Sequence, residues 1–300
     1  MTGTSNAEIA EAIYVSGLAS GSADVDWAQA VTLSRKRIMR SLRDSNYLSE
    51  IEQAIVASGE HLIVFRHMFG PPVSQDQFAL ICPQYRKTCE KVGRRVKQSD
   101  AADVASAVRR LFDPRITRWL EQNRKPTLGE VRQIVATVAP MLSMQAVATL
   151  RRNRLSAAQE GAVIAMLEAM GWKRASSSLV DQSVALPAGY FMHKTKFATQ
   201  TRPQEVDIAC GLGTSVVLAM ECKVTNDRTN SVKRVNDILK KATAWQLHWG
   251  SFVRTAALLQ GVLADKDVQR LAAANVHVFW SHDLAQFQSW LEENVSQIGS

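Results

Sequence analysis

Glu205-Val206-Asp207-Ile208-Ala209-Cys210, then a Gly-rich break, then residues 216–224 ending in Met220-Glu221-Cys222-Lys223-Val224: this stretch decides how the chain is read. In its second part the even positions Val216, Leu218, Met220, Cys222 and Val224 are apolar, while the odd positions include Ala219, Glu221, Lys223 and Thr225. The first part repeats the pattern, with Val206, Ile208 and Cys210 against Glu205, Asp207 and Ala209. Successive side chains of a strand point to opposite faces. The period of two therefore predicts a β-hairpin with Asp207, Glu221 and Lys223 on one face. Pairing Cys210 with Val216 across the 211–215 loop would set Asp207 opposite Ala219, with Glu221 as its diagonal neighbour. A slip of one residue would bury the charges and expose the apolar set, so the register is constrained.

The residue types point to chemistry on a phosphodiester. Hard carboxylate oxygens suit Mg²⁺, which keeps several waters and needs few protein ligands. The backbone carbonyl of Cys222 would point near the same ion. Such a metal polarises a phosphate and lowers the pKa of a bound water. Lys223 would position that water or offset charge on the pentacovalent phosphorus. An amphipathic strand with a solvated charged face accounts for the same alternation. Small Ala219 beside the pair, a glutamate-bearing helix before the hairpin and a Lys/Arg-rich helix after it favour the chemical reading.

Three hundred residues, 46% of them hydrophobic, allow one large or two ordinary domains and argue against global disorder. No run of 18 apolar residues occurs, so no transmembrane helix is expected. Met1-Thr2-Gly3-Thr4-Ser5 lacks the pattern of a secretory signal. Cys82, Cys89, Cys210 and Cys222 form no Cys-x-x-Cys pair. Neither a zinc site nor a disulfide framework is expected, and a reducing cytoplasm fits. The net charge is +8: residues 1–154 hold 22 Lys+Arg against 15 Asp+Glu, and residues 155–300 hold 14 against 13. An excess on one half suits approach to a polyanion, although solvated basic helix faces give the same count.

The first half reads as helices over 7–16, 27–43, 48–57, 75–96, 101–112 and 128–138, with Pro83 kinking or restarting the fourth. Breaks fall at Ser20-Gly21-Ser22, Gly70-Pro71-Pro72, Asp113-Pro114, Lys125-Pro126 and Pro140; Asp24 and Thr127 are candidate N-caps. From residue 155 the order is α-β-β-β-α-β-α-β-α: helix 156–169, a Ser-rich loop, strand 189–197, the hairpin, helix 230–249, strand 252–263, helix 265–273, strand 276–280 and helix 283–293. The expected fold class is α/β, with a helical, basic DNA-clamping or recognition region at 1–154 and a catalytic domain with a mixed sheet at 155–300.

This pattern resembles the PD-(D/E)xK nuclease superfamily, whose core is helix, three-strand meander, helix, strand. Within it, Gln204-Glu205-Val206-Asp207, Glu221-Cys222-Lys223-Val224-Thr225-Asn226 and Thr229-Asn230-Ser231-Val232-Lys233-Arg234-Val235-Asn236 look like the XamI-type restriction endonucleases. The resemblance covers about 150 C-terminal residues. It implies Asp207 as the metal-binding aspartate, Glu221 and Lys223 as the second motif, and Glu160 as the helix glutamate that completes the site. Val206 stands where the family pattern has proline, which is not a ligand. The resemblance further implies a Mg²⁺-dependent type II restriction endonuclease, with Mn²⁺ as a substitute metal. Double-stranded DNA is its substrate, cut to 5′-phosphate and 3′-hydroxyl ends. A homodimer on palindromic sites and a cognate methyltransferase are implied, with no membrane partner. Two alternatives stay open. One is a repair or structure-specific nuclease of the same superfamily; the other is a non-catalytic DNA-binding protein on the same fold.

Candidate DNA contacts are Lys233 and Arg234 on the helix that also carries Lys240, Lys241 and Gln246, and Lys194 and Lys196 on the strand that also carries His193. His193 is not required as a general base. Arg86, Lys87, Lys91, Arg94, Arg95 and Lys97 form a basic stretch on one long expected helix, equally readable as solvated surface. Glu205 is either a ligand or an exposed strand residue. Residues 128–138 and 142–152 around Pro140 have helix-turn-helix spacing, which any helical bundle also shows. Trp172, Trp245, Trp249 and Trp280 are expected in the core, as are Cys82 and Cys89.

Overall fold

The computed structural model describes residues 5–18, 22–213 and 215–296. Met1-Thr2-Gly3-Thr4, Ser20 and Gly21 of the first expected break, and Thr214 of the hairpin loop lie outside the described residues. The chain divides into two compact units, Gly21–Leu150 and Met1–Ser20 with Arg151–Ser300. The first helix, α1 (Asn6–Leu18), thus belongs with the C-terminal half, whereas the sequence reading grouped it with 1–154. Ala7 and Ala10 are the reason: they pack against Val235, Ile238 and Leu259.

The helical unit contains α2 (Ser22–Asp44), α3 (Ile51–Ala57), α4 (Glu60–Arg66), α5 (Gln75–Ile81), α6 (Gln98–Leu111), α7 (Arg118–Glu121) and the first part of α8 (Leu128–Ala169). Ile38, Leu42, Ile55, Phe65, Val104 and Trp119 are among the side chains that fill its core. The expected helix over 75–96 is corrected here. Ser74 caps α5 through a reciprocal pair with Gln77, but the helix stops at Ile81. A residue before proline is driven out of helical geometry, and Cys82, before Pro83, is extended at φ −131° and ψ 92°. The basic run therefore crosses a 3₁₀ turn (Lys87–Cys89) and irregular chain, with no long helix beneath it. Helix α3 starts at Ile51 and not at 48, because Asn46, Tyr47 and Leu48 all adopt positive φ.

Pro140 lies inside α8, so neither the break there nor a new start at 156 occurs, and the helix-turn-helix spacing is one continuous helix. A mid-helix proline costs about 3 kcal/mol. Ile134, Val138 and Leu142 are buried on either side of it, and each such side chain recovers about 1.5–3 kcal/mol. Thr127 caps α8 as expected: its hydroxyl accepts from Glu130 N–H at 3.2 Å, and Glu130 accepts from Thr127 N–H at 2.7 Å. By length and composition α8 would suffice to cross a membrane; its Ile134, Val138 and Leu142 join the helical core, and Val163 and Leu167 pack on the sheet.

The second unit holds a seven-stranded mixed sheet of β1 (Lys173–Arg174), β2 (Leu179–Val180), β3 (Tyr190–Phe197), β4 (Gln204–Gly211), β5 (Val217–Thr225), β6 (Val253–Gly261) and β7 (Val276–Trp280). The order is β1-β3-β4-β5-β6-β7, with β2 also paired to β3. β3, β4 and β5 form an antiparallel meander, and β5, β6 and β7 run parallel. The two-residue strands β1 and β2 lie at the edges of the expected Ser-rich loop. Helices α9 (Arg228–Trp249), α10 (Asp265–Ala273) and α11 (Leu284–Ser296) complete the α/β layout. One face, with Ile208, Leu218, Met220, Cys222 and Leu258, packs on Val163 and Leu167 of α8 and Phe287 of α11. The other packs on α9: Ala257 and Leu259 meet Val235 and Ile238, and Val217 and Ala219 meet Trp245 and Trp249. At the end of β6, Gly261 has φ +94°, and a Cβ there would lie 1.9 Å from the Thr225 carbonyl oxygen.

Candidate active site

The β4–β5 ladder pairs Ile208 with Met220, Ala209 with Ala219, Cys210 with Leu218 and Gly211 with Val217. This is two residues from the expected pairing, which set Cys210 against Val216. The loop closes later than expected, with Leu212 N–H donating to Val216 O at 2.9 Å. An even shift preserves the faces, so Asp207, Glu221 and Lys223 still gather, with Asp207 now level with Glu221. The solvated-face alternative fails, because Ala219 and Glu221 are both at 0% exposure beneath α9.

Asp207 sits where the sheet opens. Regular β4–β5 pairing ends at Ile208–Met220, and Asp207 Oδ2 accepts the Cys222 N–H at 2.9 Å. A residue's N–H and C=O point to the same edge of a strand, so the Cys222 carbonyl faces the same opening. On the other side of β4, Lys194 has φ +53° and pairing skips from His193–Ile208 to Thr195–Val206. Across this kink the alternation expected of β4 breaks: Val206 joins the same cluster as Ala209.

Lys223 Nζ lies 2.6 Å from Glu221 Oε2 and 3.2 Å from Asp207 Oδ2. Lys241 Nζ, from α9, lies 2.7 Å from Glu221 Oε1 and 2.9 Å from Glu205 O. Burial pushes the Glu221 carboxyl above its ordinary pKa; Lys223 and Lys241 oppose that rise, and Asp207 adds to it. Burial also pulls Lys223 down, but Glu221 and then Asp207 outweigh it and leave Lys223 above its ordinary value. The two carboxylates thus hold Lys223 as an ammonium in this set.

Glu160 takes no part in that hydrogen-bond set. It lies on α8, whose Val163 and Leu167 cover the opposite face, and its Oε2 is 2.7 Å from His193 Nε2 and 3.1 Å from Lys194 Nζ. Its charge still reaches the Cys222 thiol, which burial and then Asp207 and Glu160 hold well above its ordinary pKa. Lys194, Lys196 and Lys233 are exposed and Arg234 half-buried, all in the sheet unit. Lys91, Arg94 and Arg95 are exposed in the helical unit, on irregular chain. Glu205 is exposed, and its main-chain oxygen is the part that meets the site. The four tryptophans singled out earlier are buried, as is Cys82, while Cys89 is half-buried.

Among the described residues no three His, Cys, Asp or Glu side chains converge as a metal cage. The carboxylates of Asp207 and Glu221 meet at Lys223, and strand geometry turns the Cys222 carbonyl toward the same opening; all are hard oxygen donors. That composition fits Mg²⁺, which retains much of its water.

The profile of the XamI restriction endonuclease family matches residues 46–280. The chain belongs to that family. A curated XamI-family relative, the type II restriction enzyme XamI of Xanthomonas campestris pv. amaranthicola, is 28% identical over 192 residues. The match takes in 62% of this chain and 66% of that enzyme, just under two thirds of its length. Among solved structures, protein VC1899 from Vibrio cholerae is matched at TM-score 0.31 and 12% identity, over 83% of this chain and 56% of that one. A likeness of that size carries no argument about the fold.

For this XamI-family chain, sequence reading singled out Asp207, Glu221 and Lys223 and left Lys241 as one of several helix lysines. A signal existed: Lys241 falls between Ile238 and Trp245 at spacings of three and four, on the stripe of α9 that is otherwise buried.

Proposed function

We propose that this chain is a Mg²⁺-dependent type II restriction endonuclease that makes sequence-specific double-strand breaks in DNA. The observation that carries the reading is the meeting of Asp207, Glu221 and Lys223 at the opening between β4 and β5. Membership of the XamI family supports the same conclusion. Asp207, Glu221 and the Cys222 carbonyl would hold the metal. When bound, Mg²⁺ polarises the scissile phosphate and lowers the pKa of a bound water.

The chain's own residues do the rest. The Cys222 N–H fixes one oxygen of Asp207. Lys223, held as an ammonium, stabilises negative charge developing on the phosphate oxygens in a site where Glu221 is shut off from bulk water. Exposed Lys194, Lys196 and Lys233, with half-buried Arg234, would track the phosphate backbone. Lys91, Arg94 and Arg95 would do so from the helical region, which clamps or reads DNA. Products would be 5′-phosphate and 3′-hydroxyl ends. The enzyme acts in the cytoplasm as a homodimer on palindromic sites, beside a methyltransferase that protects them.

The test is incubation of the purified chain with unmethylated phage DNA, with Mg²⁺ and with EDTA. Discrete Mg²⁺-dependent fragments are expected. A smear would remove the restriction label, and DNA binding without any product would overturn the enzyme reading.

A further inference from the structure

Each oxygen of the buried Glu221 carboxylate has its own ammonium: Lys223 Nζ at 2.6 Å on Oε2 and Lys241 Nζ at 2.7 Å on Oε1. Asp207 shares the first of these, at 3.2 Å. Two carboxylates thus face two ammonium groups, and the set is neutral. Lys241 is doubly anchored, since it also donates to Glu205 O at 2.9 Å. Glu205 is two residues before Asp207 on β4, so Lys241 ties β4 to β5 across the break in their ladder. It stands on the stripe of α9 that packs against the sheet, and burial of Ile238, Ala242 and Trp245 fixes where its stem starts. A divalent cation on the same oxygens would bring the net charge of the set to +2, at ion-pair distance from Lys241. That is unfavourable until an anion arrives.

We infer that Lys241 is a positioning residue that couples cation binding to the phosphodiester. It orients Glu221, and its charge keeps a divalent cation from settling on Glu221 before the substrate phosphate supplies the missing negative charge. This rests on the nuclease reading above and deepens it. With Lys223 alone, Glu221 Oε1 would have no ammonium of its own; Lys241 holds that oxygen in the resting state.

The experiment is calorimetric titration of the full chain with Mn²⁺ in the absence of DNA, for wild type, Lys241→Gln, Lys241→Arg and Asp207→Ala. Lys241→Gln keeps a donor to Glu221 but removes the charge, and it is expected to bind Mn²⁺ about tenfold more tightly than wild type. Lys241→Arg should stay near wild type, because the charge is kept. A merely structural lysine predicts unchanged or weaker binding in Lys241→Gln. That result, in a variant that melts like wild type, overturns the inference. Should Lys241→Gln melt early, Lys241→Met, which keeps the aliphatic stem, is titrated well below its own melt against the same tenfold expectation. The two readings fail separately. Mn²⁺ binding that Asp207→Ala does not weaken removes the cation site itself. Binding lost in Asp207→Ala but unmoved in Lys241→Gln removes only the role of the lysine.

Discussion

The Asp207 carboxylate accepts the backbone N–H of Cys222 at 2.9 Å, in the place a β4 carbonyl would take if the ladder ran on past Ile208–Met220. One side chain thereby satisfies the backbone of the neighbouring strand and holds the strands apart, and the opening so made is where the charged groups meet. Asp207→Asn keeps an oxygen that can accept from Cys222 N–H but loses the charge. Cleavage should fall on the order of a hundredfold or more while the thermal melt stays close to wild type. Cleavage within a few-fold of wild type would take Asp207 out of the reaction.

Lys223→Ala should abolish cutting and leave DNA binding intact. The ammonium touches Glu221 and Asp207 and lies on none of the exposed basic surface that would track the backbone. Cleavage assays paired with gel shifts separate the two effects. A purified Lys223→Ala variant that still cuts would sink the assignment.

Glu221→Ala should destabilise the fold as well as stop the reaction. Glu221 is fully buried between Lys223 and Lys241, and its removal leaves two ammonium groups without their shared counter-ion. Breaking such a pair costs about 3 kcal/mol. Urea melts of the sheet unit's tryptophan signal read this directly. A loss under about 1 kcal/mol would show that water repays the two lysines.

Acid should weaken the protein before carboxylates titrate. Burial holds His61 and His67 below the ordinary histidine pKa of 6.5. The same holds for His277 on β7, where Arg254 adds to the effect. A depressed folded-state pKa means the unfolded chain binds more protons, so stability is full above about pH 6.5 and declines as pH falls below it. Melting temperatures from pH 7.5 down to 5.5 should therefore drop. A flat profile would show that these rings accept protons without cost in the fold.

Much of the sheet-bearing half was legible because its signals are local. Alternation at 205–210 and 216–224 put Asp207, Glu221 and Lys223 on one face, and α9 and the strands at 253–261 and 276–280 followed from apolar period and breakers. The errors fell where distant contacts outweigh local preference. Pro140 reads as a helix break, yet burial of Ile134, Val138 and Leu142 carries α8 through it. The 75–96 stretch reads as one helix by apolar spacing, yet Cys82 before Pro83 cannot stay helical, and buried Glu90 ties the segment beyond to Arg66 at 2.8 Å.

The sequence by itself determined that Asp207, Glu221 and Lys223 gather, because side-chain alternation is a property of each strand's own backbone; at the Lys194 kink that alternation fails and Val206 changes cluster. Only the tertiary structure decided the register, the opening at Asp207 and the place of Lys241. The hairpin register depends on how the 211–215 loop closes, and an even shift leaves the faces unchanged, so the apolar pattern alone cannot choose between the two pairings. Lys241 is 20 residues from Glu221 along the chain; its place on the apolar stripe of α9 turns it toward the sheet, and the packing of that stripe onto the sheet decides that Glu221 is what it meets.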